Sequence, residues 1–250
     1  MDRIRAEQFQ AEQSHAEQSH AEQANADLAP VKSTIVTASN PNELSPIEAA
    51  IMDACNALHE ARERADAEAI AAYTDALPRL LARYDATDGD NHPNPAWSRP
   101  NQRALALSAM DRVEDAVRTE LIALKYADTP RRREISLGNL ADRCLRLNDA
   151  QLAVGYFLEA IEANPRSVPV LVTGASALFR AGHRDEADAI FRAMHATPGL
   201  LAEGSELTAY LAFDPATRAM RNRLPALDDL YAAWELRPSQ ADRTPERGRP

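Results

Sequence analysis

The chain has 250 residues, 26% of them charged and 45% hydrophobic, with a formal net charge of −10. That length suits one medium domain or a short repeat array. The negative balance argues against an extended grip on a phosphate backbone and against membrane-surface binding through a basic face, so neither nucleic acid nor membrane is an expected partner. Arginine outnumbers lysine 26 to 2 and alanine is abundant, which points to a high-GC, bacterial coding sequence.

The start, Met1-Asp2-Arg3-Ile4-Arg5-Ala6-Glu7, has no apolar core of the kind a signal peptide needs. No stretch approaches the roughly 18 apolar residues of a spanning helix, and a cytoplasmic protein is the default expectation. Residues 6–25 are four tandem pentapeptides, AEQFQ, AEQSH, AEQSH and AEQAN. A five-residue step advances about 140° around a helix, so no apolar stripe forms. Residues 1–44 therefore read as a low-complexity, disordered or loosely helical tail with a linker. His15 and His20 are five apart, off any shared helical face, and make a poor metal pair.

Structure is expected to begin at Ser45-Pro46-Ile47-Glu48, a capping box with proline in the first helical position. Ile47, Ile51, Cys55 and Leu58 trace the first helix of a hairpin over 45–85. The second carries Ala69, Tyr73 and Ala76, with a kink or restart expected at Pro78. Residues 86–97 read as a loop. Asp85, Asp88 and Asp90 do not make a calcium loop, because Gly89 falls on a ligand position and Ala96 replaces the closing glutamate. Cys55 and Cys144 both lie in apolar helical patterns, which suits buried reduced thiols.

From 98 to 199 three helical pairs are readable, about 98–127, 132–164 and 168–197. In each, a residue tolerant of the left-handed conformation lies five before a small packing residue: Asp111 before Ala116, Asn148 before Ala153, Gly182 before Ala187. A quartet then recurs, Ala153, Phe157, Ala160 and Pro165 followed by Ala187, Phe191, Met194 and Pro198, with a period of 34 (187 − 153 = 34). The first offset is 37 (153 − 116 = 37), which places an insertion near Arg131 to Arg133. The apolar run Val168 to Val172 reads as helix because Ser167 stands as its cap and Pro169 lies in its first turn.

These residues resemble the tetratricopeptide repeat (TPR) family. The match is best in the middle copy, where Leu137, Leu140 and Ala141 also suit the first-helix packing positions. Cys144 and Leu178 replace the family's usual tyrosine, and Glu120 replaces the aromatic of the first copy. The resemblance implies an all-α, short right-handed solenoid of three helical hairpins. Residues 200–237 would supply capping helices, with Asp214-Pro215 a cap and first-turn proline, Pro225 a break, and Leu227, Leu230, Tyr231 and Trp234 an apolar face. Residues 238–250 read as a polar, disordered tail.

Catalytic signatures are missing from the sequence. His59-Glu60 lacks the second histidine of a zinc-protease helix, and there is no glycine-rich phosphate loop and no nucleophile elbow. No catalytic, metal or cofactor-binding residue is expected. The resemblance instead implies a concave groove lined by Asn101, Leu105, Gly138, Asp142, Arg146, Val172, Ser176 and Arg180. Arg146 and Arg180 are 34 apart (180 − 146 = 34) and would stack on successive repeats, suited to an acidic side chain or a terminal carboxylate. Their alternative role is capping, since both sit in the last turn of a helix. The family's chaperone-tail clamp is not met, because only Asn139 matches it. Trp97 and Trp234 read as core or capping residues, with exposed binding anchors as the alternative. The expected function is a non-catalytic adaptor or scaffold that holds a partner's peptide or helix. Two alternatives stand beside it: a regulatory subunit acting through its convex face or termini, and a self-assembling protein forming a homodimer through its C-terminal helices.

Overall fold

A computed structural model describes residues 45–87, 92–202 and 204–236, and every regular element in them is helical. The helices are α1 Pro46–Glu63, α2 Ala67–Thr87, α3 Pro95–Ala109, α4 Val113–Lys125, α5 Pro130–Arg146, α6 Ala150–Ala163, α7 Val168–Ala181, α8 Arg184–His195, α9 Glu206–Phe213, α10 Pro215–Ala219 and α11 Pro225–Glu235. They divide into two compact units, the first ending at Thr119 and the second beginning at Glu120, with the boundary inside α4. The pentapeptides, His15, His20, the linker and the 238–250 tail lie outside the described residues.

In the first unit α1, α2 and α3 pack against one another. The capping box forms as expected: Glu48 N–H donates to Ser45 Oγ (3.2 Å), and Ser45 N–H donates to Glu48 Oε2 (2.9 Å). The other oxygen of this carboxylate does something the cap alone does not require. Glu48 is buried, and its Oε1 meets the Tyr84 hydroxyl of α2 (3.1 Å) and the Gln102 amide of α3 (3.4 Å). The Tyr84 hydroxyl also bridges to Ser98 (2.8 Å). One capping residue thus ties three helices through a buried polar network. Ile47, Ile51, Leu58, Leu77, Leu81 and Ala106 form the apolar core beside it.

Two boundaries differ from the sequence reading. Helix α2 runs unbroken through Pro78, because the proline is on the exposed side and the carbonyl it leaves unbonded, on exposed Thr74, can meet water. The segment between α2 and α3 is shorter than 86–97, since α2 reaches Thr87 and α3 begins at Pro95. Asn94 caps α3 by accepting the Trp97 N–H at 3.0 Å, with Pro95 in the first position, so Trp97 is in the helix and not ahead of it.

Four hairpin turns share one geometry. Asp111, Asn148 and Gly182 take φ of 64°, 62° and 94°, the left-handed values their spacing predicts, and Ala65 between α1 and α2 takes 53°. In each, the left-handed residue's N–H bonds three residues back and the next N–H bonds five back, as in Arg112→Leu107, Asp149→Cys144, His183→Leu178 and Asp66→Ala61. This double bond closes the free carbonyls of the preceding helix. Ala116, Ala153 and Ala187 then follow, all fully buried.

The second unit has one large core running from Leu137 and Phe157 to Leu230 and Tyr231. Helix α5 packs on α6 and α7, and α7 on α6 and α8. Gly174 of α7 is required by this arrangement, because a Cβ there would overlap the Phe157 ring of α6. Ser167 holds the cap position of α7, but its hydroxyl makes no capping bond. The C-terminal helices start at real caps: Ser205 for α9 and Asp214 for α10, whose Oδ2 accepts the Thr217 N–H at 2.7 Å. Helix α11 has only Leu224 in its cap position, and Asp188 of α8 supplies the missing acceptor to the Ala226 N–H (2.7 Å).

Candidate functional site

Glu120, which departs from the aromatic pattern, is fully buried and pairs with Arg143 of α5 at 2.9 Å. Asn139 also donates to Glu120, at 3.4 Å. Burial pushes the Arg143 guanidinium below its ordinary value, and the carboxylates of Glu120 and Asp142 oppose that shift. The arginine is therefore held charged by a partner 23 residues earlier. With Arg143 turned inward, its neighbours on the α5 helix, Asp142 and Arg146, are left on the outside, one turn apart and exposed.

Asp142 is exposed, with neighbouring protein atoms crowding its carboxyl. That crowding raises its carboxyl above the ordinary value; Arg143 and Arg146 counter the shift and Asp214, at the α9–α10 junction, adds to it. Tyr210 of α9 is half-buried and packs against the second unit's core. Its hydroxyl is pushed up to about 12 by burial and by Asp214, Asp142 and Glu206.

On α5, Gly138 is half-buried, and a Cβ there would sit 3.4 Å from the Val170 side chain, so it serves the close approach of α5 and α7. On α7 the expected exposure of Val172 and Ser176 is corrected. They are 2% and 4% exposed, because α9 and α10 lie against α7 in addition to α5, α6 and α8. Leu207 and Leu211 of α9 join Val172 in one core. Arg180, past the end of that cover, is exposed and donates to Asn148 Oδ1 at 2.7 Å. That contact holds the arginine beside the left-handed turn joining α5 to α6.

In the first unit Asn101 is buried, again against the expectation of a surface position, and Leu105 is half-buried. Both lie on α3, whose polar side chains Ser98 and Gln102 feed the Glu48 network and favour a buried face. Trp97 is buried, with its ring 5.7 Å from that of His92. Trp234 packs partly buried on the second unit's core, edge-to-face with Tyr231 at 6.0 Å. Both cysteines are free thiols; burial raises each to about 11, so neither is a thiolate near neutral pH.

Among the described residues no group of three His, Cys, Asp or Glu side chains is placed to hold a metal ion, and no helix is long and apolar enough to cross a membrane. The second unit exposes the charged groups Asp142, Arg146 and Arg180, with Asp214 and Tyr210 half-buried. Groups of this kind can hold a peptide by hydrogen bonds and ion pairs. Sequence reasoning read Asp214 only as a cap and did not single out Tyr210, because the charges that act on both come from distant helices. No protein-family model, no curated protein and no solved structure matches this chain.

Proposed function

We propose that this protein is a non-catalytic, cytoplasmic adaptor of TPR type, whose repeats form a short solenoid and hold a peptide or helix of a partner protein. The observation that carries this reading is the recurrence of one turn and one packing residue. Left-handed Asp111, Asn148 and Gly182 are followed, five residues on, by buried Ala116, Ala153 and Ala187. Hairpins stacked in this way present successive first helices to a common side, a geometry that suits extended ligands and not an enclosed reaction centre. Asp142, Arg146 and Arg180 support it as exposed polar groups on the second unit's first helices.

The test is affinity purification from the native host with the tagged protein and its Arg146→Glu/Arg180→Glu variant, both checked for equal helicity by circular dichroism. Partners lost only from the variant support the adaptor reading and identify the client. The same partners in both samples overturn the assignment of binding to this surface.

A further inference from the structure

We propose that the outer face of α6 is a self-association surface: two copies of this chain pair through their α6 helices, antiparallel, about a two-fold axis beside Gly155. This face carries none of the residues assigned above to ligand binding, so it stands whether or not the adaptor reading does.

Helix α6 buries one side, Ala153, Phe157 and Ala160, in the second unit. Its other side is poor in charge for a surface in water. Glu159 and Glu162 are the only charged residues of its fourteen, and neither is basic. Leu152 and Leu158 are 46% and 53% exposed, and Gly155 between them is exposed as well. A step of three residues turns a helix about 300°, so the leucines stand about 60° to either side of the glycine. They wall a shallow channel whose floor is the Gly155 backbone.

A glycine inside a helix weakens it relative to alanine, so its place calls for a use. Of the three glycines inside the described helices, two have one within the fold. Gly174 leaves room for the Phe157 ring, and at Gly138 an added Cβ would already touch Val170, at 3.4 Å. A Cβ at Gly155 would have nothing within 4 Å. Gly155 thus makes the same kind of opening for a close helix, on the side its own unit leaves uncovered.

The residues around Gly155 select the occupant. A two-fold contact requires a patch complementary to itself. With the axis at Gly155, each residue stands level with the one equally far beyond the glycine in the other copy. Leu158 (155 + 3) comes level with the partner's Leu152 (155 − 3), and Glu159 (155 + 4) with the partner's Gln151 (155 − 4). Glu162 (155 + 7) comes level with the partner's Asn148 (155 − 7). Leucine meets leucine, and each glutamate meets an amide that can donate to it. Parallel pairing instead sets Glu159 on Glu159 and Glu162 on Glu162, which like-charge repulsion opposes. Glu159 also pairs with Arg133 of α5 at 2.8 Å, so its charge is partly balanced before a second copy approaches. In a chain with a net charge of −10, a face on which no acid need meet an acid is where copies can touch.

Sedimentation equilibrium of the full chain, from about 1 µM to about 500 µM, should show a monomer–dimer equilibrium, a weak one because a single helix crossing buries less than the roughly 1,200 Å² of a standard interface. Gly155→Leu fills space that is open in the monomer. It should keep or raise the melting temperature while weakening the dimer at least about 10-fold, and Leu158→Glu should weaken the dimer as much with helicity retained. To read the orientation, Leu152→Cys and Leu158→Cys chains are mixed under mild oxidation, with wild type as the background for Cys55 and Cys144. The mixed disulfide should form at least about 5-fold faster than either chain cross-links to itself, because only that pair of positions stands level. A chain that stays monomeric throughout overturns the proposal. So does a dimer indifferent to both variants, which puts self-association elsewhere, as on the C-terminal helices, and so does cross-linking with no preference for the mixed pair.

Discussion

Two helix junctions in the second unit solve the same packing problem with opposite chemistry. Where α6 meets α7, Phe157 fills the space over Gly174, and a single added methyl on the glycine would overlap the ring. At the corresponding place in α4, 37 residues earlier (157 − 120 = 37), Glu120 faces Arg143 of α5, both buried. Arg143 stands where α7 has buried Ala177 (177 − 143 = 34). The aromatic junction gains from dispersion and lost water contact, with a shape that tolerates almost no change. The ionic junction spends its Coulomb attraction on desolvation, so its net contribution is small, but either partner left alone is heavily penalised. One junction is selective by shape and the other by charge.

The sharpest break comes from the ion pair. Glu120→Leu should cost about 3–5 kcal/mol, because Arg143 is left charged and buried. Combining it with Arg143→Met should return stability to the wild-type level or above it. Urea unfolding followed by circular dichroism checks both; a single variant as stable as wild type would show that Arg143 escapes to solvent. At the aromatic junction Gly174→Ala should cost about 1–3 kcal/mol by overpacking. Trimming the ring with Phe157→Leu in the same chain should make the pair less costly than the sum of the two, which a double-mutant cycle reads directly. Additive losses would mean the clash is relieved elsewhere. The smallest effect is expected from Asp188→Ala, about 1 kcal/mol, because it removes the acceptor that α11 lacks locally. Its signature is faster hydrogen exchange at the start of α11 while α6 and α7 keep their protection.

Much of the fold was legible in particular residues. Ser45 and Glu48 cap α1 as their spacing requires, Asp214 caps α10, and the three left-handed turns fall at Asp111, Asn148 and Gly182. The fourth turn escaped notice, because Ala65 adopts a conformation that alanine does not advertise. The candidate site was less legible. Asp142, Arg146 and Arg180 are exposed, while Asn101, Val172 and Ser176 are buried. For the last two the cover is α9, whose two leucines look like any short apolar pattern until α7 is placed beneath them.

Sequence alone determined the features settled within about five residues: helix starts at capping side chains, helix ends at residues that accept a positive φ, and small alanines where helices cross. These depend on backbone sterics and on the unpaired N–H and carbonyl groups at each helix end, which neighbouring residues satisfy. Tertiary structure decided what joins distant segments. Arg143 finds Glu120 across 23 residues, and the Ala226 N–H finds Asp188 across 38. Helix α9 packs on α7 in the same way. Water leaves these surfaces only when the helices meet, so burial, charge pairing and the side chains left exposed belong to the packed chain and not to any short stretch of it.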